Sequence, residues 1–441
     1  MTSILINIVN MSPTNWLNAA AALAQLGVRP QTLYANVSRK RIRVRADPQD
    51  PRRSLYHAED VRRLAQRRRG RPRNERLAAQ AVAWGDPILA SAVSTVAHGR
   101  LWYRGRDAVR LALRASLEEV ATLLWECPPV ELREHRAADA DAAAIDADAA
   151  AGPRASPLQA AYRVLAMRAG RDAPMYARAA GPLQTEAVEL VADLCAAMLL
   201  AIRRSRGAAV AGRAPGARSA RRAGAGADRS AQPLHVRLAA AWQRPAAADL
   251  IRRALVLLAD HELNASTFAT RVAASTGAAL SASVLAGFAT LSGPMHGGAA
   301  AAVQALAAGA QRVGAHAAIL ASLAQGHAVA AFGHPLYPDG DIRAVALLQA
   351  FTLPPIFEEL RTVAQRLVGE PPNVDFALTA LAASANLPAD APFVLFALAR
   401  SVGWIAHALE QRQSGSLIRP RARYVGPAIP PCTPAVSGSV P

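Results

Sequence analysis

Lysine is nearly absent from this chain: Lys40 is the only one among 50 basic residues. Any phosphate or carboxylate met through a cation must therefore meet arginine. An excess of Arg and Ala also follows from coding bias, so charge by itself is a weak argument for a nucleic-acid partner. Cysteine is scarce as well. Cys127, Cys195 and Cys432 are widely scattered, which fits neither a disulfide framework nor a zinc site and suits a reducing cytoplasm. Long uninterrupted apolar runs are missing too: the stretch around Val284 is broken by Gly, and Phe393 to Ala408 carries Arg400 and His407. No membrane span is expected. Met1 to Asn10 is apolar but lacks a basic start and a cleavage site, and reads as a ragged start with Met11 as an alternative.

At 441 residues the chain has room for two or three domains and an ample core. Its formal charge of +18 is concentrated. Residues 1–76 hold 16 Lys/Arg against 5 Asp/Glu, and residues 203–229 hold 8 Arg against one Asp, so everything else sums to zero.

Residues 15–66 read as a unit of their own. Trp16, Leu17, Ala20, Leu23 and Leu26 recur at helical spacing, Gly27 ends that helix, and Val28 to Val37 forms a second after a tight turn. Arg41 to Val44 and Leu55-Tyr56 pair as a hairpin around the Pro48/Pro51 turn, before a third helix from Ala58 to Ala65. This helix-turn-helix plus wing resembles the reading head of MerR-type regulators. The resemblance implies a DNA partner, with Gln31, Thr32, Tyr34 and Asn36 at the major groove and Arg39 to Arg45 on the backbone. Arg67-Arg-Arg-Gly-Arg-Pro-Arg73 follows, similar to tracts that lie in A·T-rich minor grooves. A docking appendage with a solvated basic linker, residues 67–85, explains the same residues.

Beyond Asp86 the pattern is helical. Ser116-Leu-Glu-Glu-Val-Ala-Thr-Leu-Leu-Trp125 puts Leu117, Val120, Ala121 and Leu124 on one face, after a tight Arg104-Gly105 turn. Leu158 to Met167 and Leu183 to Ile202 keep helical periodicity. Residues 131–157 and 203–231 hold almost no large apolar side chain and read as surface loops or disordered inserts. From Leu234 to about Ala428 the chain is again helical, without alternating strand runs.

Four short contexts in this half carry chemistry: His261-Glu-Leu-Asn-Ala-Ser-Thr, Gly293-Pro-Met-His296-Gly-Gly, Phe332-Gly333-His334-Pro and Pro372-Asn-Val-Asp375. His296 projects from a tight turn where backbone approaches a ligand closely, and Asp375 stands at a helix start, where an aspartate is also a common cap. Arg400 lies on a strongly apolar helix, where an unpaired guanidinium is costly and an anionic partner is expected.

Together these contexts resemble the active site of the citrate synthase family. The resemblance implies a mainly α, two-domain helical fold with the N-terminal unit as an appendage: a large domain over 86–297, a small one over 298–384, a return over 385–428 and a disordered tail over 429–441. It implies condensation of acetyl-CoA with oxaloacetate and hydrolysis of the citryl thioester, with propionyl-CoA giving 2-methylcitrate as one alternative and a DNA-binding regulator with a sensor body as another. Asp375 takes the role of the methyl base and His296, neutral and fixed by a backbone contact on its other nitrogen, that of donor to the enolate oxygen. His334 polarises the ketone. His261, Arg343, Arg400 and Arg419 bind the substrate carboxylates, Arg419 from a neighbouring subunit of a homodimer with shared sites; Arg421 is its rival. Ile342 stands where the family usually has Pro, and leaves Arg343 in register. Gly333, ending the loop from Val329, lets backbone approach coenzyme A. The implied co-substrate is a coenzyme A thioester, with no permanent cofactor and no metal. His334 and Arg343 on the smaller domain and His261 and Arg400 on the larger imply closure on binding.

Overall fold

The computed structural model describes residues 16–26, 33, 36–37, 41–48, 50, 53–62, 89–133, 155–211 (backbone alone from 206), 231–324, 329, 331–422 and 424–427. Contacts divide the chain into two units, Met1–Ala90 with Arg421–Pro441, and Ser91–Pro420.

The smaller unit contains strand β1 (Trp16–Leu17), helix α1 (Ala19–Leu26), β2 (Val44–Ala46) and β3 (Ser54–His57). The expected hairpin forms, with Val44 opposite Tyr56 and β1 added to the other edge of β3. Trp16 and Leu17 are therefore strand rather than helix: pairing with Tyr56 and His57 satisfies their backbone, and Asn18 caps the helix that follows. Ala22, Leu26, Leu33, Ile42, Tyr56 and Val61 make its core. Most of the expected second helix, with Gln31, Thr32 and Tyr34, lies outside the described residues, as does Arg67 to Arg73. Of the basic residues on β2 and before it, Arg43 is held by Asp60 and Arg45 stacks on Trp16 at 4.4 Å.

The larger unit opens with a small sheet that the sequence pattern did not announce: β4 (Ser94–Ala97), β5 (Arg100–Tyr103) and β6 (Arg106–Asp107). Both connections are two-residue loops with positive φ at each position, His98-Gly99 and Arg104-Gly105, the geometry that matches strand twist. Asp107 then caps α2 (Ala108–Ala112), and a reciprocal Ser116/Glu119 capping box starts α3 (Leu117–Trp125), whose Leu117, Val120, Ala121 and Leu124 are buried as expected. Next come α4 (Pro157–Arg171), α5 (Ala180–Ala211), α6 (Leu234–Ala241) and α7 (Ala248–Leu258). The expected insert at 203–231 is shortened by α5, which runs on through Arg203, Arg204 and Ser205 to Ala211. Arg and Ala are strong helix formers, and propensity carries the helix past Ile202, the last buried apolar residue among its described side chains.

The chain continues through α8 (Ala265–Ser275), α9 (Leu280–Leu291), α10 (Ala299–Val313), α11 (Ala315–Ala324), α12 (Ile342–Leu348), α13 (Pro355–Leu367), α14 (Val374–Ser384) and α15 (Ala391–Ser414). Helices α8 and α9 pack on each other and on α15, which runs through the centre of the main core. By length and composition α15 could cross a membrane, but nearly all of it is covered by protein. A second core, built from α10, α11, α13 and α14 around Val303, Ile319, Leu360 and Phe376, accompanies the first.

Close helix approach depends on small residues. A Cβ at Gly403 of α15 would overlap the Asp260 carboxylate and the Ala259 carbonyl, both fixed in the core. Gly403→Ala is therefore expected to destabilise the larger unit by about 3 kcal/mol or more, since overpacking is compounded by disturbance of a buried charge. Urea unfolding checks this.

Candidate active site

Four loops bring the motif residues together. The first follows α7. Tyr103, fully buried, donates its hydroxyl to carbonyls at the end of α7, and Asp260 accepts from Ser94 and His407. These contacts fix the backbone that presents His261. Its Nε2 lies 3.0 Å from the Tyr337 hydroxyl, and its ring meets that of His334 edge to face at 5.2 Å. Burial, with the charges of Arg343 and Arg400 beside it, pushes His261 well below the usual imidazole range, so it is neutral.

The second loop is the turn between α9 and α10 that carries His296. Gly297 and Gly298 leave no room for a side chain: a Cβ at the latter would lie 2.7 Å from Pro294. His296 Nε2 is 2.9 Å from the Ser266 hydroxyl at the start of α8. Its partner is thus a side chain, not the backbone contact expected from the sequence. Ser266 also accepts from Trp404 Nε1 at 3.1 Å and donates its hydroxyl proton to Asn264 Oδ1 at 2.7 Å. With that proton on Asn264, Ser266 Oγ accepts from Nε2–H of the neutral imidazole; when the hydroxyl turns to Nε2 instead, the ring proton passes to Nδ1. Burial, helped by Arg400, pushes His296 down to about 4, so that neutral form prevails near pH 7.

The third loop holds His334, Tyr337 and Arg343. His334 Nδ1 accepts from the Leu336 backbone at 3.2 Å, which assigns the proton of the neutral ring to Nε2. Burial and Arg343 push it down to about 4. Gly333 has φ +75, and a Cβ there would lie 2.8 Å from the Glu370 carboxylate. Its N–H donates to Pro371 and its carbonyl accepts from Asn373, so what remains of its role is close approach rather than a free donor. Arg343, almost fully buried, grips Asp341 with Nε at 2.9 Å and Nη2 at 2.8 Å.

The fourth loop begins α14. Asn373, not Asp375, is its cap: the Asn373 side chain accepts from the Asp375 backbone at 3.0 Å. The Asp375 carboxylate accepts no hydrogen bond among the described residues and is left for other work. Burial pushes it up to about 6 against the pull of Arg343 and Arg400. Arg400 of α15 is 1% exposed, donates Nε to the Leu258 carbonyl and stacks on Phe396 at 4.8 Å. It forms no ion pair among the described residues, and its Nη2 is buried without an acceptor. Burial lowers it to about 10, with Asp260 as the compensating charge. An open, desolvated guanidinium donor of this kind awaits an anion.

The fold thus gathers His261, His296, His334, Arg343, Asp375 and Arg400 into one electrostatic neighbourhood: the charges of Arg343 and Arg400 act on Asp375, and both act on His261. Arg419 is different. It is exposed on the segment after α15, and no hydrogen bond or ion pair among the described residues joins it to this group; the rival Arg421 is exposed too. Ser266, Tyr337, Asp341, Asn373 and Trp404 complete the site. They stood in or near the motifs, but only tertiary packing reveals their contacts.

A family model described as Citrate synthase, C-terminal domain, matches residues 82–421. The chain belongs to the citrate synthase family. Similar relatives include Citrate synthase 2 of Bacillus subtilis (strain 168), 36% identical over 197 residues, covering 42% of this chain and 52% of the relative. Another is 2-methylcitrate synthase 2 of Corynebacterium glutamicum, 32% identical over 193 residues, with 41% of this chain and 50% of the relative covered. The chain thus aligns with about half the length of these curated relatives. Among solved structures, citrate synthase from Thermotoga maritima MSB8 aligns with TM-score 0.62 and 26% identity, over 80% of this chain and 98% of that one. The mainly helical fold is that of the family.

Proposed function

We propose that this chain condenses acetyl-CoA with oxaloacetate and hydrolyses the resulting citryl thioester to citrate and coenzyme A. The observation that carries the reading is the assembly of the Asp375 carboxylate, which has no hydrogen bond among the described residues, with two neutral imidazoles and two arginines in one neighbourhood. Asp375 removes a proton from the thioester methyl, and the electron pair moves onto the carbonyl oxygen. His296 donates its N–H to that oxygen, which keeps the enolate within reach. The enolate carbon then attacks the ketone carbon of oxaloacetate, while Nε2–H of His334 meets the oxygen that becomes alkoxide and supplies its proton. Arg343, Arg400 and His261 bind the dicarboxylate. Water finally splits the thioester, releasing the thiol.

In this reading a second copy of the chain supplies Arg419, whose exposure in a single copy is then explained. The test is thiol release with both substrates; a folded dimer that releases none with any short acyl-CoA removes the proposal. The named relatives include both citrate and 2-methylcitrate synthases, and one methylene is worth only about 1–3 kcal/mol in a pocket. Comparing kcat/KM for acetyl- and propionyl-CoA decides between them.

The pH dependence has a definite sign. Asp375 must be ionised to act, and its carboxyl is pushed up to about 6. The imidazoles, near 4, are already neutral well below that. We expect kcat/KM for the thioester to fall about tenfold per unit below pH 6 and to level off above it. A profile flat down to pH 5 contradicts the assignment.

A second reading concerns the smaller unit, whose hairpin and exposed Arg41 and Arg45 support DNA contact through the backbone. Failure to retard DNA of its own upstream region at low salt removes it.

A further inference from the structure

The mechanism uses Arg343 and Asp375 at opposite ends of the reaction, one on the dicarboxylate and one on the thioester methyl. A single buried side chain, Asp341, touches the support of both. Its Oδ1 accepts from the Arg343 backbone at 3.0 Å and from Nε at 2.9 Å. Oδ2 accepts from Arg343 Nη2 at 2.8 Å and from the Val374 backbone at 3.0 Å. Val374 is the first residue of α14 and the immediate neighbour of Asp375. Asp341 is 1% exposed, so no water competes for these bonds.

The remaining bonds of this corner tighten the arrangement. Asn373 donates its backbone N–H to Ala331 and its amide to Gly333, while its oxygen caps Asp375. The turn that aims Asp375 is therefore fixed on one side by the His334 loop and on the other by Asp341 alone. Arg343 gives two of its donor atoms to Asp341, and Nη1 is the one with no partner among the described residues. An incoming carboxylate meets that edge and shares the guanidinium with Asp341.

Resting on the condensation reading above, we propose that Asp341 is a positioning residue that couples the two substrates: one carboxylate orients Arg343 for the dicarboxylate and holds the turn of α14 from which Asp375 attacks the methyl. Capping of α12 would explain the bond to the Arg343 backbone, but not the fork on the guanidinium or the bond to Val374. A serine at this position keeps the cap and is too short for the other two.

The test uses the full chain with Asp341→Ser and Asp341→Asn, each checked for folding by circular dichroism and melting. Asp341→Asn keeps the size but turns an N–H₂ group toward donors; if it fails to fold, the serine variant, which keeps the cap, carries the test. Both are expected to raise the oxaloacetate KM and, at saturation of both substrates, to lower kcat by about tenfold or more. Exchange of the thioester methyl protons into D₂O under saturating dicarboxylate is expected to fall by a similar factor, because Asp375 is the base of that step and His296, its other participant, makes no bond to Asp341. If saturating oxaloacetate restores kcat and exchange, Asp341 serves Arg343 only and the inference is overturned. Unchanged KM and kcat overturn it as well. A wild-type chain that releases no thiol instead fails the reading of function, which separates the two.

Discussion

Asp375→Asn is expected to lower kcat by about 10²–10⁴-fold while oxaloacetate binds as well as before or more tightly. The variant removes the one site carboxylate that has no hydrogen-bonding duty in the fold. Asn373 caps α14, so the helix start does not depend on Asp375. Asparagine has the same shape and cannot take a proton from carbon. Loss of a negative charge beside Arg343 and Arg400 also leaves more of their field for the dicarboxylate. Steady-state kinetics with calorimetric oxaloacetate binding separates the two effects. A variant that retains most of its kcat removes Asp375 from the chemistry.

Arg400→Met is expected to weaken oxaloacetate binding by about 2–5 kcal/mol, the range for truncating one side of a desolvated charge pair. The side chain is buried, and its Nη2 finds no acceptor among the described residues. The cost of burying that donor is carried by the empty protein and recovered when a carboxylate arrives. Asp260 supplies charge without a hydrogen bond to Nη2: its Oδ2 accepts from Ser94 and His407, and its buried Oδ1 has no partner. Thermal shift gives a direct readout. At a ligand concentration of 100 times Kd the wild-type chain gains about 2.7 kcal/mol, whereas the variant at the same concentration gains about 0.9 kcal/mol or less. Equal shifts for both would assign the anion to other residues.

Much of the larger unit was legible in the sequence because its helices declare themselves locally. Ser116 with Glu119, and apolar residues at 117, 120, 121 and 124, fix the start and the buried face of α3 without tertiary information. The motif residues were legible for a different reason: Gly and Pro around His296 and His334 mark turns, and turns are where side chains meet ligands. What was not legible depends on contacts distant in sequence. Trp16 and Leu17 fit a helical spacing, yet β3 claims them. The β4–β6 sheet is too short for alternation to show, and only the paired positive-φ loops reveal it. Arg203 to Ala211 has few large apolar residues but does not lack helix propensity. Ser266 and Asp341 look like ordinary cap-type residues in the sequence. Their bonds to His296, Arg343 and Val374 span up to 33 residues and exist only once the loops converge.

The central claim is that the Asp375 carboxylate and the His296 imidazole converge on one carbon of the thioester while His334 faces the ketone. A crystal structure of the chain with oxaloacetate and a non-reactive acyl-CoA analogue tests it most directly. The account predicts the dicarboxylate between Arg343, Arg400 and His261, with the analogue's acyl carbon facing both Asp375 and His296. Ligands bound elsewhere, or these three side chains directed into separate pockets in the occupied dimer, would contradict it.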